Sequence, residues 1–222
     1  MLNLFFPKCC PLCGQVVEEG IIICPSCIRS LPRTEQSFMR DNLTEMLFCD
    51  NKKFRKGAAF LFFDQDSPVQ RALHQMKYGR FADPYIGYTL AKEAAYEFLS
   101  SDFFDGIDVL LPVPLHPRRL RERGFNQSEW ICRALTEVTG IPTDTFHLTR
   151  QINNEHQALL GKERNENVKG IFAVTHPEDL YHKHLLLVDD IITTGATLRA
   201  CMEALKPVRG HHVSVFGLGK AR

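Results

Sequence analysis

The sequence predicts an α/β protein, a mostly parallel central sheet with flanking helices, preceded by a small cysteine-rich module. Two short continuous apolar runs, Ile107–Val113 and Leu185–Val188, suit strands covered on both faces. Capped amphipathic helices separate the apolar runs, and strands joined through helices pair in parallel. Five of the eight cysteines crowd the first 27 residues, a clustering that favours a metal site over a disulfide framework.

The 222 residues are 44% hydrophobic and 24% charged, enough for one sizeable core with a small appendage. A net charge of +1 sets up no overall field for a polyanion or an acidic membrane, so nucleic-acid affinity would need a local patch. No stretch approaches the roughly 20 apolar residues of a membrane span. The opening Met1–Pro7 is too short for a signal peptide and lacks a basic start. Cysteines that act as thiolates need reducing conditions, so a soluble, cytoplasmic protein is expected.

In chain order, residues 1–33 read as a cysteine-rich head, 34–57 as a polar connection and 58–222 as the main domain. Cys10-Pro-Leu-Cys13 and Cys24-Pro-Ser-Cys27 are two Cys-x-x-Cys knuckles about ten residues apart, spaced for a closed, structural zinc ion with four cysteine ligands. Such a site supplies folding energy that a head this small lacks. Cys9 competes with Cys10 as the first ligand, and the matched gaps favour Cys10. Cys49, Cys132 and Cys201 read as packing residues.

Ala58–Phe63 has strand length and is fully apolar. Ser67-Pro68, with Gln70 in the capping-box position, then starts a helix whose apolar face is Val69, Ala72, Leu73 and Met76. Asp83-Pro84 starts a second, and Asn126 with Glu129 a third. That third helix carries the stripe Trp130, Ile131, Ala134, Leu135 and Val138 until Gly140 and Pro142 stop it. Trp130 on that stripe reads as core. His212–Leu218 alternates more loosely and closes the strand series. Ligands of such sheets collect at the carboxyl ends of the strands.

The most informative stretch follows the Leu185–Val188 strand: Asp189, Asp190, Ile191, Ile192, Thr193, Thr194, Gly195, Ala196 and Thr197, leading into a helix. Free N–H groups at that helix start, with threonine hydroxyls beside them, make a phosphate cradle, and Gly195 allows close backbone approach. The two acids would repel a phosphate; they suit a sugar's vicinal hydroxyls and its magnesium. The spacing describes a ribose 5-phosphate.

After the other buried strand, His116, Arg118, Arg119, Arg121 and Arg123 surround a proline-stiffened turn. Arginine forks match a pyrophosphate bidentately, against the alternative of a solvated basic turn. Arg150 to Phe172 is a polar arm in which Arg150, Gln157, Arg164 and Asn167 are lid residues or plain surface. Lys77, on the polar side of its helix, is a surface lysine or a ligand contact. His182 and His184 read as surface, and Lys220 with Arg222 as a small basic tail.

The acid pair and threonine loop closely resemble the PRPP (phosphoribosyl pyrophosphate) motif of type I phosphoribosyltransferases. That resemblance implies Asp189 and Asp190 at the ribose hydroxyls and metal shell, and Thr193, Thr194, Gly195, Ala196 and Thr197 at the 5′-phosphate. It also implies a closing arm. The full order is narrower: paired Cys-x-x-Cys, Met76-Lys77-Tyr78, Pro112-Val-Pro-Leu-His-Pro-Arg-Arg-Leu-Arg-Glu-Arg-Gly-Phe-Asn-Gln127, Asn167-Val-Lys-Gly170, then the loop. Over essentially its whole length the chain resembles the ComF/ComFC family, which includes GntX-type proteins. This resemblance implies PRPP with Mg2+ as ligand and a part in DNA uptake and natural transformation, with single-stranded DNA and uptake or recombination proteins as partners. Two functions follow: Mg-dependent pentosyl transfer from PRPP, or a non-catalytic PRPP sensor that grips single strands. A glutamine amidophosphoribosyltransferase is rejected, because that reaction needs a glutaminase domain with an N-terminal nucleophile.

Overall fold

A computed structural model describes residues 8–78, 82–151 and 170–221. In chain order the regular elements begin with α1 (Pro25–Arg29), β1 (Phe54–Phe63), α2 (Pro68–Lys77), α3 (Pro84–Phe98) and β2 (Val109–Pro112). They continue with α4 (Pro117–Arg123), α5 (Gln127–Thr139), β3 (Leu148–Arg150), β4 (Phe172–Val174), β5 (His184–Ile192), α6 (Ala196–Ala204) and β6 (His212–Ala221). The expected caps are in place. Ser67 Oγ accepts from Gln70 N at 3.2 Å, Asp83 Oδ1 from Tyr85 N at 2.9 Å and Asn126 Oδ1 from Ser128 N at 3.0 Å. Gly140 ends α5 at φ 76°, a left-handed conformation that glycine adopts without strain.

Four strands form a wholly parallel sheet in the order β1-β6-β5-β2. β6 is last in the chain yet interior to the sheet, because its residues Val213 to Lys220 are all buried. Leu186, Val188, Phe216 and Leu218 pack on one face against α2, α3 and α5. Leu185, Leu187, Val213 and Val215 pack on the other against α6. The expected fold class is therefore the observed one. β3 and β4 form a separate antiparallel pair.

β1 begins at Phe54 rather than Ala58, and the polar stretch before it is packed rather than loose. As an edge strand, β1 exposes backbone groups that need partners. Thr34 N and Pro32 O pair with Phe60 O and Phe62 N at 2.9 Å. Further along, side chains take over. Gln36 Oε1 accepts from Ala59 N at 3.0 Å, Asn42 Nδ2 donates to Gly57 O at 2.8 Å and Glu45 Oε1 accepts from Gly57 N at 3.2 Å. Thr34, Gln36 and Asn42 are buried for that reason, and the buried Thr44 holds Gln36 Oε1 at 2.7 Å. Among the described residues no helix is long and apolar enough to cross a membrane.

Candidate phosphate-sugar site

β5 delivers Asp189 and Asp190 to the carboxyl end of the sheet, and the chain turns through Thr193–Gly195 into α6. Gly195 is the N-cap of α6 at φ 76°. A side chain there is excluded twice, by that conformation and because a Cβ would lie 2.8 Å from the Phe48 ring. Thr193, Thr194, Ala196 and Thr197 are exposed, so the unpaired N–H groups of the helix start face solvent.

A cavity of about 260 Å³ adjoins this corner, and Asp189, Asp190 and Thr197 line it together with Lys77, Arg119, Arg123 and Arg150. Residues from four separate stretches of the chain thus meet at one opening. Lys77 lines the opening, and its Nζ lies 2.8 Å from Asp190 Oδ2. The two are close enough to attract but not aligned for a hydrogen bond, so this buried carboxylate oxygen keeps an unmet acceptor. Burial, and then the charge of Asp190, push the Asp189 carboxyl up to about 7. Arg150 is lowered by burial and by the neighbouring Arg119 cation, and its guanidinium lies over the Phe172 ring at 5.4 Å. Arg119 and Arg150 therefore bring two like charges to the opening that Asp189 and Asp190 also line.

The rest of the basic turn divides. Arg123 bonds Gln127 Oε1 and lies 4.9 Å over the Tyr78 ring. Arg118 pairs with Glu122 at 2.8 Å, and neither it nor the exposed Arg121 lines the cavity. His116 accepts from Arg118 N at 3.1 Å and caps α4. Gln157, Arg164 and Asn167 lie outside the described residues.

Several readings of single residues change. Trp130 is half-buried rather than core; it stands edge-on to Tyr85 at 4.9 Å, with Arg133 at 5.3 Å over its ring. Cys49 is exposed, whereas Cys132 and Cys201 are buried as expected. His184 is half-buried and bonds Ser214 at 2.8 Å. Lys220 is buried, not a surface charge, and donates to Thr193 O at 3.2 Å. Sequence reading also missed Phe48 and the Arg199–Asp50 pair (2.8 Å) that ties the preceding segment to α6. No local pattern announces these contacts.

In the head, Cys10, Cys13, Cys24 and Cys27 bring their sulfurs within 4.8 Å of one another, and Cys13 and Cys24 are 3.7 Å apart. Tetrahedral zinc with Zn–S bonds of about 2.3 Å spaces its sulfurs about 3.8 Å apart. The four cysteines fit zinc, and Cys10 rather than Cys9 completes the set.

A parallel sheet with an acid pair and an open helix start at one strand end, plus a four-cysteine knuckle, defines a phosphoribosyltransferase-type domain with a zinc ribbon. Residues 142–216 match the phosphoribosyl transferase domain family and residues 1–38 the double zinc ribbon domain family. The chain is 28% identical over 200 residues to the DNA utilization protein YhgH of Salmonella typhimurium, covering 88% of this chain and 83% of that one. It is 23% identical to competence protein F of Haemophilus influenzae, over 97% of this chain and 86% of that one. Competence protein ComFC of Bacillus subtilis is 33% identical over 97 residues, 44% of this chain and 38% of that one. The chain is similar along most of its length to the first two of these proteins and over less than half to the third.

Proposed function

We propose that this protein binds PRPP with Mg2+ at the Asp189–Thr197 corner, transfers its pentosyl group, and serves DNA uptake or use. The observation that carries the reading is the single cavity in which the acid pair meets Thr197 and three arginines. The 5′-phosphate sits among the amides and hydroxyls of Thr193–Thr197, the ribose hydroxyls face Asp189 and Asp190, and the pyrophosphate relieves the repulsion between Arg119 and Arg150. The unmet Oδ2 of Asp190 accepts from a sugar hydroxyl while Lys77 balances its charge. Mg2+, when bound, neutralises pyrophosphate charge, and the acids at the ribose hydroxyls fit its shell. In the transfer, the acceptor's lone pair forms a bond to ribose C1 as the C1–O bond breaks, and pyrophosphate leaves with that electron pair. The acceptor's proton passes to a base. The names of the relatives support the role in DNA use.

Calorimetry with PRPP and Mg2+ tests the reading. Micromolar affinity is expected, on the order of 8 kcal/mol, and Asp190→Ala is expected to weaken it about 100-fold, because a charged hydrogen bond at a buried site is lost. Unchanged affinity in that variant rejects the assignment of the acids. Pyrophosphate release in the presence of candidate acceptors distinguishes transfer from sensing.

The half-buried Trp130 against Tyr85, with Arg133 over it, favours a second reading: a non-catalytic PRPP-sensing protein that grips single-stranded DNA by stacking. It predicts salt-sensitive single-strand binding that survives Asp190→Ala and falls with Trp130→Ala.

A further inference from the structure

We propose that Lys220 is a positioning residue of the phosphate loop, set behind it to turn an amide outward and to place a positive charge beneath the bound anion. The inference rests on the sugar-phosphate reading above.

Lys220 lies near the end of β6, where it is paired in register with Ile192 of β5, the residue just before the loop. It is only 7% exposed. Its one hydrogen bond among the described residues runs from Nζ to the carbonyl oxygen of Thr193, at 3.2 Å. It forms no ion pair with a described carboxylate, in contrast to Lys77, which has Asp190. Burial lowers its proton affinity and no neighbouring acid restores it. A buried ammonium without a counter-ion is a costly arrangement, and an apolar side chain of similar length would fill the space at less expense in desolvation. The charge becomes favourable when an anion arrives next to it.

The direction of the hydrogen bond says where. The peptide joining Thr193 to Thr194 is planar and trans, so its C=O and N–H point in opposite directions. Lys220 draws the Thr193 carbonyl inward, which turns the Thr194 N–H toward the open side of the loop. That side holds the exposed Thr194 and Thr197 and the unpaired amides of the α6 start. Lys220 thus acts through Thr193 on the donor set and through space on the charge that the donors receive.

The test is calorimetry on the full chain, comparing wild type, Lys220→Met and Lys220→Arg. The ligands are PRPP with Mg2+ and ribose 5-phosphate alone, from about pH 7 to about pH 10. Lys220→Met is expected to lose about 10- to 100-fold in affinity for both ligands, as a charge removed near an anion in a partly buried site. Lys220→Arg is expected to stay within about 3-fold of wild type. Wild-type affinity is expected to fall at alkaline pH more steeply than that of Lys220→Arg; Lys77, Asp189 and Asp190 are common to both proteins, so the difference isolates Lys220. A Met variant that binds like wild type, or equal losses in Met and Arg with identical pH profiles, overturns the proposal. A wild type that binds neither ligand rejects the sugar-phosphate reading itself, whereas normal wild-type binding with an unaffected Met variant rejects only the role of Lys220.

Discussion

Asp189 and Asp190 are adjacent in the chain and meet different surroundings. Asp190 is 4% exposed and has Lys77 Nζ at 2.8 Å from its Oδ2. Asp189 accepts from Asp190 N at 2.9 Å, and burial, followed by the Asp190 carboxylate, still raises it to about 7 against that bond and the Lys77 charge. The consequence for stability follows from linkage. An unfolded aspartate titrates near 3.9, so at acid pH both states hold the proton. From about pH 4 to about pH 7 only the folded state still holds it, and stability falls as pH rises through that window. Asp189→Asn removes the titrating group. Its melting temperature, relative to wild type, is expected to rise steadily between those limits; a constant offset across the same range would mean that the Asp189 carboxyl is not raised. Environment therefore sets Asp189 apart, its carboxyl raised toward neutrality by burial.

At the scale of elements, the informative case is the stretch before β1. Its composition is that of a linker, yet Gln36 and Asn42 are buried and bond the backbone of the edge strand. Polar side chains there serve as a substitute strand, which caps the sheet and prevents pairing with another chain. Asn42→Ala leaves the Gly57 carbonyl without its 2.8 Å donor. The expected cost is about 1–3 kcal/mol in urea unfolding, the penalty of an unsatisfied buried acceptor. Arg121→Ala, at an exposed position on α4, is expected to change stability by less than about 0.5 kcal/mol. Equal effects would remove the edge-capping account. The same stretch ends in Phe48, whose ring lies against Gly195, and Asp50, which holds Arg199 of α6. The segment that guards the sheet edge also packs under the Thr193–Gly195 loop and the start of α6.

At the scale of the whole molecule, the zinc ribbon and the main sheet share one core. Cys10, Ile23, Cys24 and Leu31 are buried in the same cluster as Phe60, Leu73 and Phe98. Metal binding therefore stabilises more than the head, since the apolar contacts of Ile23 and Leu31 depend on the knuckles holding their shape. Chelation of zinc, or Cys24→Ser, is expected to lower the melting temperature of a single cooperative transition. A separate early transition with the main one unmoved would show the head to be energetically independent.

The local features were legible in the residues: the capped helices, the buried strands, the cysteine knuckles, and the acids and threonines at the end of β5. Each is written within a dozen or so neighbouring residues, where periodicity, capping and ligand spacing act. Tertiary structure alone decided which distant groups meet. It sorted the basic turn, sending Arg119 and Arg123 to the cavity and Arg118 to Glu122. It set Lys77 against Asp190, Phe48 under Gly195 and Lys220 behind Thr193. The reason is physical. Parallel pairing brings the carboxyl ends of strands remote in sequence to one edge, and whether a lysine or a glutamine there is solvated or buried depends on that pairing and not on its neighbours in the chain.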